Sequence, residues 1–118
     1  MRLLVVDDEE LVRELGVRVL ERAGYDVVSA SSAARAIELV ETEPIDLVVS
    51  DVVMPGLSGV DLLTELRDRR PDLPVLLMTG GSAEPDRTGQ ALGLGASAIL
   101  FKPFTHAELV DAVAAALG

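Results

Sequence analysis

Leu47-Val48-Val49-Ser50-Asp51 is an apolar run of strand length that ends on a carboxylate. Other short runs in the chain behave the same way. Leu3-Leu4-Val5-Val6 leads into Asp7-Asp8, Val75-Leu76-Leu77-Met78 into Thr79, and Ile99-Leu100-Phe101 into Lys102. Continuous apolar runs bounded by turn residues and separated by helical patterns read as buried parallel strands. In an open parallel sheet all strand ends of one polarity share one edge, where ligands usually bind. The sequence therefore predicts that three carboxylates, a hydroxyl and an ammonium converge in one shallow pocket.

The intervening segments supply the helices. From Glu9 to Ala23, Val12, Leu15, Gly16, Val19, Leu20 and Ala23 recur at helical spacing, and Gly24 stops the helix. Asp26 to Ala30 reads as a short second strand, and Ala33, Ala36, Ile37 and Val40 give the next helix a narrow apolar stripe. After the strand at 46–50, Met54-Pro55-Gly56 marks a turn and Ser58-Gly59-Val60-Asp61 a capped helix start, buried through Leu62, Leu63 and Leu66. Thr105-His106-Ala107-Glu108 is a capping box ahead of the last helix. Between the fourth and fifth strands, Thr79-Gly80-Gly81-Ser82 opens a helix punctuated by Gly89, Gly93 and Gly95, each interior glycine weakening it by roughly 1 kcal/mol. The expected fold is α/β: a doubly wound, five-stranded parallel sheet with five helices and strand order 2-1-3-4-5, the flavodoxin-like arrangement.

Composition narrows the function. The 118 residues suit one domain spanning 1–118, with no cysteine for disulfides or thiolate metal sites. Against 10 basic residues stand 20 acidic ones, a net charge of −10, which argues against direct binding to nucleic acid or anionic membrane. No apolar run approaches a bilayer span and Met1-Arg2 leads straight into a strand, so a cytoplasmic location is expected.

The acidic pocket has its own chemistry. Clustered carboxylates repel unless a cation joins them, and with only oxygen ligands on offer a hard divalent ion fits. Mg²⁺ is expected, with Mn²⁺ as an alternative; Asp8 and Asp51 are assigned as direct ligands, the Val53 carbonyl as a third, and Asp7 acting partly through water. Asp51 can attack a phosphoryl group and form an acyl phosphate. The ion, Lys102 and the Thr79 hydroxyl would then neutralise the phosphoryl oxygens. Taken singly, an Asp-Asp pair after a strand is more often a helix cap, and a lone Lys-Pro says nothing. The weight lies in four strand ends each supplying the needed type.

At these residues the chain resembles the receiver domain of bacterial two-component response regulators, of the chemotaxis-regulator kind. The matching pieces are Val5-Val6-Asp7-Asp8-Glu9, Asp51-Val52-Val53-Met54-Pro55-Gly56-Leu57-Ser58-Gly59, Thr79-Gly80, and Gly95-Ala96 with Phe101-Lys102-Pro103-Phe104. The resemblance implies that Asp51 is the phosphoacceptor, Asp7 and Asp8 the metal-binding pair, Thr79 the switch hydroxyl and Lys102 the family's lysine, with a Lys102–Pro103 bond that is often cis. It implies a phosphosignalling and phosphorelay role, with phosphate drawn from a histidine kinase or phosphotransfer protein. That is self-phosphorylation and dephosphorylation rather than turnover enzymology, by a monomer or weak dimer. The exposed side of the first helix (Arg13, Glu14, Arg18) would be read by the kinase. A downstream protein partner or a fused output domain would receive the signal.

One departure stands out: Ile99 occupies the place where relatives usually carry Tyr or Phe, so the usual ring rotation is unavailable. Val53 and Gly81, at positions that tune phosphate lifetime in the family, lack polar side chains, so fast self-dephosphorylation is not expected. A pseudo-receiver acting only as an interaction module is the alternative reading. A hydrolase with an aspartyl nucleophile would want a second acid where Val53 stands. An FMN-binding relative would want a Ser/Thr-rich loop after the first strand, and more aromatics than the 3% found here.

Overall fold

A computed structural model describes residues 1–52, 56, 58–79 and 95–118. The elements run β1 (Arg2–Val6), α1 (Glu10–Arg22), β2 (Asp26–Ala30), α2 (Ala33–Thr42), β3 (Leu47–Asp51), α3 (Gly59–Arg69), β4 (Val75–Thr79), β5 (Ala98–Phe101) and α4 (His106–Leu117). The five strands form one sheet in the order β2-β1-β3-β4-β5, and every pairing is parallel. Both the order and the strand polarity are those the apolar runs predict. Four helices fall within the described residues; the expected helix between β4 and β5 lies outside them, as do Val53, Met54, Pro55 and Gly81.

Alternation along the strands splits the core into two layers. Leu4 and Val6 of β1, Val48 of β3, and Val75 and Leu77 of β4 pack with α2 and α3. Leu3 and Val5, Leu47 and Val49, and Leu76 and Met78 pack on the other side with Val19 and Leu20 of α1 and Leu109 and Val113 of α4. All residues of β3 and β4 are buried, as expected of central strands covered on both faces. Residues on the outermost strand β5 are only partly covered, and Phe101 at its end is 51% exposed.

Helix starts are set by their caps. Ser58 accepts from the Asp61 amide while the Asp61 carboxylate accepts from the Ser58 amide, and Thr105 and Glu108 do the same for α4. Each box satisfies donors that the first turn would otherwise leave unpaired, which fixes where the chain turns from loop into helix. Beside the cap on α3, the Gly59 amide donates to the Val52 carbonyl and so ties that helix to the end of β3, next to Asp51.

Candidate phosphoacceptor site

The pairings place Asp7, Asp51, Thr79 and Lys102 along one edge of the sheet. Val6 pairs with Ser50, Asp51 with Met78, and Thr79 with Phe101, so Asp51 and Thr79 at the ends of β3 and β4 and Asp7 and Lys102 just after β1 and β5 meet at the carboxyl rim. Oxygen atoms of Asp7, Asp8 and Asp51 all lie within 4.8 Å of one another. The Lys102 ammonium donates to Asp51 Oδ2 at 3.1 Å. Lys102 is also fixed through its main chain, whose N–H donates to the Thr79 carbonyl at 2.7 Å. The Lys102–Pro103 bond is cis.

Burial differs sharply across the cluster. Asp7, Asp51 and Thr79 are buried and Asp8 is exposed. Asp7 Oδ1 accepts from the Glu9 amide at 3.0 Å, whereas Oδ2 is buried with no hydrogen-bond partner among the described residues. Burial pushes the Asp7 carboxyl above its ordinary range. The Glu9 amide works against that shift, the charge of Asp51 adds to it, Lys102 offsets it, and Asp8 contributes a further small rise. A buried carboxylate oxygen with no hydrogen-bond partner among the described residues, in a cluster of three acids, is a donor that a cation would satisfy. Oxygen-only donors from three carboxylates suit a divalent ion.

Each sequence-assigned residue inside the described set is brought to this rim; the Val53 carbonyl lies outside that set. Ile99 is half-buried and packs against the layer formed by α2 and α3, so it lies away from the carboxylates. Sequence reading missed one contact. Arg13, assigned to the outward face of the first helix, turns back and donates to the Asp7 main-chain carbonyl at 2.9 Å. A long cationic side chain one turn into a helix can always reach the loop before it, so spacing alone gives no signal for such a contact. The first helix also departs from its pattern at Val12 and Leu15, which are 37% and 51% exposed although they share a stripe with buried Val19 and Leu20.

Comparison with known proteins agrees with this geometry. The family model described as the response regulator receiver domain matches residues 3–114. The alkaline phosphatase synthesis transcriptional regulatory protein PhoP of Bacillus subtilis is 40% identical over 116 residues, covering 98% of this chain and 48% of PhoP. The response regulator protein FleR of Pseudomonas aeruginosa is 42% identical over 113 residues, covering 96% of this chain and 24% of FleR. The chain thus spans about half the length of PhoP and a quarter of FleR. Among solved structures, a response regulator receiver domain protein from Clostridium thermocellum superposes with a TM-score of 0.92 at 34% identity, covering 98% of this chain and 93% of that one. The chemotaxis protein CheY4 of Vibrio cholerae gives 0.91 at 26% identity, with 98% and 97% covered. With the acidic triad Asp7, Asp8 and Asp51 in the arrangement typical of a phosphoacceptor site, this chain belongs to the response regulator receiver domain family of two-component signalling.

Proposed function

We propose that Asp51 is the phosphoacceptor of this receiver. One carboxylate oxygen of Asp51 attacks the phosphorus of a phosphohistidine or a small acyl phosphate. The bond from phosphorus to the imidazole nitrogen or to the donor's carboxylate oxygen breaks, and that leaving group departs with the electron pair. The product is an aspartyl phosphate. Such transfer needs mainly positioning and charge neutralisation. The observation that carries the reading is the Lys102 ammonium 3.1 Å from the carboxylate of Asp51, itself a member of the acidic triad. An ammonium there neutralises one equatorial oxygen, and the Thr79 hydroxyl on the adjoining strand end donates to another.

Asp7, Asp8 and Asp51 would hold Mg²⁺, with the Val53 carbonyl as a further ligand. Bound there, the ion supplies positive charge to the remaining phosphoryl oxygen. A histidine kinase or histidine phosphotransfer protein is the proposed donor, docking on the outer face of α1, where Leu11 is 81% exposed beside Glu14 and Arg18. The recipient of the signal is a downstream protein or a linked output module. Residues 1–118 are read as one receiver unit. Among the described residues no helix is long and apolar enough to cross a membrane.

The test is direct. Incubation with acetyl phosphate and Mg²⁺ should add one phosphoryl group per chain by intact mass, and Asp51→Asn should take up none. Uptake that persists in Asp51→Asn would overturn the assignment. Failure to accept phosphate from acetyl phosphate, kinases or phosphotransfer proteins would favour a pseudo-receiver that works only as an interaction module.

A further inference from the structure

The loop between β1 and α1 carries two of the three acids, and a small hydrogen-bonded knot shapes it. Asp7 still pairs with β2, its amide donating to the Ala30 carbonyl at 3.2 Å. The Glu9 amide then returns to the Asp7 carboxylate, and the Arg13 amide donates to the Glu9 carbonyl at 2.9 Å as the helix begins. The Arg13 guanidinium closes the knot on the Asp7 carbonyl, a part-buried contact spanning the whole loop. That carbonyl belongs to the peptide plane joining Asp7 to Asp8. Asp8 is exposed, and the orientation of the peptide plane before it governs where its carboxylate is aimed.

We propose that Arg13 is a positioning residue for the divalent-ion site. Its guanidinium holds the Asp7–Asp8 peptide so that both carboxylates face Asp51, and it does so from the helix whose outer side is exposed. The inference rests on the reading of the acidic triad as a cation site and deepens it. Arg13 acts through main-chain orientation rather than by touching the ion or the phosphoryl group. Groups that orient metal ligands are typically worth about 10–100-fold in metal affinity when removed. A single main-chain contact belongs at the lower end of that range.

The experiment is a Mn²⁺ titration of the full chain followed by electron paramagnetic resonance of the free ion, which needs no phosphorylation. Arg13→Ala should raise the Mn²⁺ dissociation constant about ten-fold. Arg13→Lys, which keeps a donor of shorter reach, should recover part of the loss. Arg22→Ala, which removes an exposed charge from the last turn of the same helix, should leave the constant unchanged. In acetyl phosphate assays Arg13→Ala should need more Mg²⁺ for half-maximal rate and reach the wild-type rate at saturation. A dissociation constant equal to wild type in Arg13→Ala overturns the proposal, including the case where only its melting temperature falls. An equal loss in Arg22→Ala also overturns it, since bulk charge would then be the cause. If Arg13→Ala does not fold, Arg13→Lys and Arg13→Gln carry the same comparison. Should Asp51 never accept phosphate, the Mn²⁺ constants still decide the role of Arg13, so the two readings fail separately.

Discussion

The two faces of the sheet are covered with unequal care. On one side α2 and α3 bury Ala33, Ala36, Leu39, Val40, Val60, Leu62, Leu63 and Leu66 against β1, β3 and β4. On the other, α1 buries only Val19 and Leu20, and a cavity of about 430 Å³ lies between its first turns, α4 and the strands. Val12, Leu15 and Gly16 face that cavity, as do Asp7 and Lys102 from the carboxyl rim. The packed face anchors the sheet, whereas the loose face borders the acidic cluster. Elements that border a binding site are commonly drawn from the less stable part of a fold.

That contrast is most easily broken by truncating one leucine on each side. Leu66→Ala removes a fully buried side chain from the packed layer, and such changes cost about 2–5 kcal/mol. Leu15→Ala, on the loose side, should stay within about 0.5 kcal/mol, as exposed substitutions do. Urea denaturation of both variants decides the matter: equal losses would mean that α1 is packed as tightly as α3.

Next in size is Gly59→Ala. A Cβ at this position would sit 2.3 Å from the Asp51 carbonyl oxygen and 2.8 Å from the Val52 Cα, both main-chain atoms that cannot swing aside. Overpacking of this sort costs about 1–3 kcal/mol. Because the atoms displaced belong to Asp51 and its neighbour, phosphate uptake should fall along with stability. A Gly59→Ala protein with wild-type stability would show that the close approach of α3 to the end of β3 is not needed.

Most of this was legible in the sequence, for identifiable reasons. The strand ends at Asp7, Asp51, Thr79 and Lys102 were readable because parallel strands must end together, which turns a one-dimensional list into a shared edge. The capping boxes at Ser58 and Thr105 were readable because they are local in sequence. The exposure of Val12 and Leu15 was not, since a helical stripe says which side faces the sheet but not how closely the helix approaches it. Arg13 was misplaced for a related reason. Its side chain lies on the polar face, and only the path of the β1–α1 loop shows that it bends inward. Gly16 falls between these cases: its place in the stripe was plain, and the space around it was not.

Asp7 offers a sharper probe of the rim where the two faces meet. Its carboxyl is raised by burial, so ionisation is less favourable in the folded chain than in the unfolded one. With the folded value raised, this group's contribution is fully present below the unfolded value of about 3.9 and is lost as pH climbs through the folded value. Above that folded value the metal-free protein carries an ionised, poorly solvated acid. Asp7→Asn should melt a few degrees higher than wild type in EDTA, and added Mg²⁺ should raise its melting temperature less. A lower melting point for Asp7→Asn in EDTA would mean that the acid is better solvated than its burial indicates.

The smallest effect expected is also the cleanest test of the loose face. Gly16 lies in the middle of α1, where glycine costs about 1 kcal/mol relative to alanine. Its φ is not in the left-handed region, and among the described residues a Cβ would meet only Val5 Cγ1 at 3.6 Å, an ordinary contact. Gly16→Ala should therefore stabilise the protein by about 0.5–1 kcal/mol, the opposite sign from Gly59→Ala. The two glycines make a matched pair, since each sits in a helix beside the sheet and they differ in how near the backbone behind them lies. If Gly16→Ala destabilises in urea, α1 closes on β1 more tightly than its exposed Val12 and Leu15 allow. The asymmetry between the two faces would then have to be sought in the side chains alone.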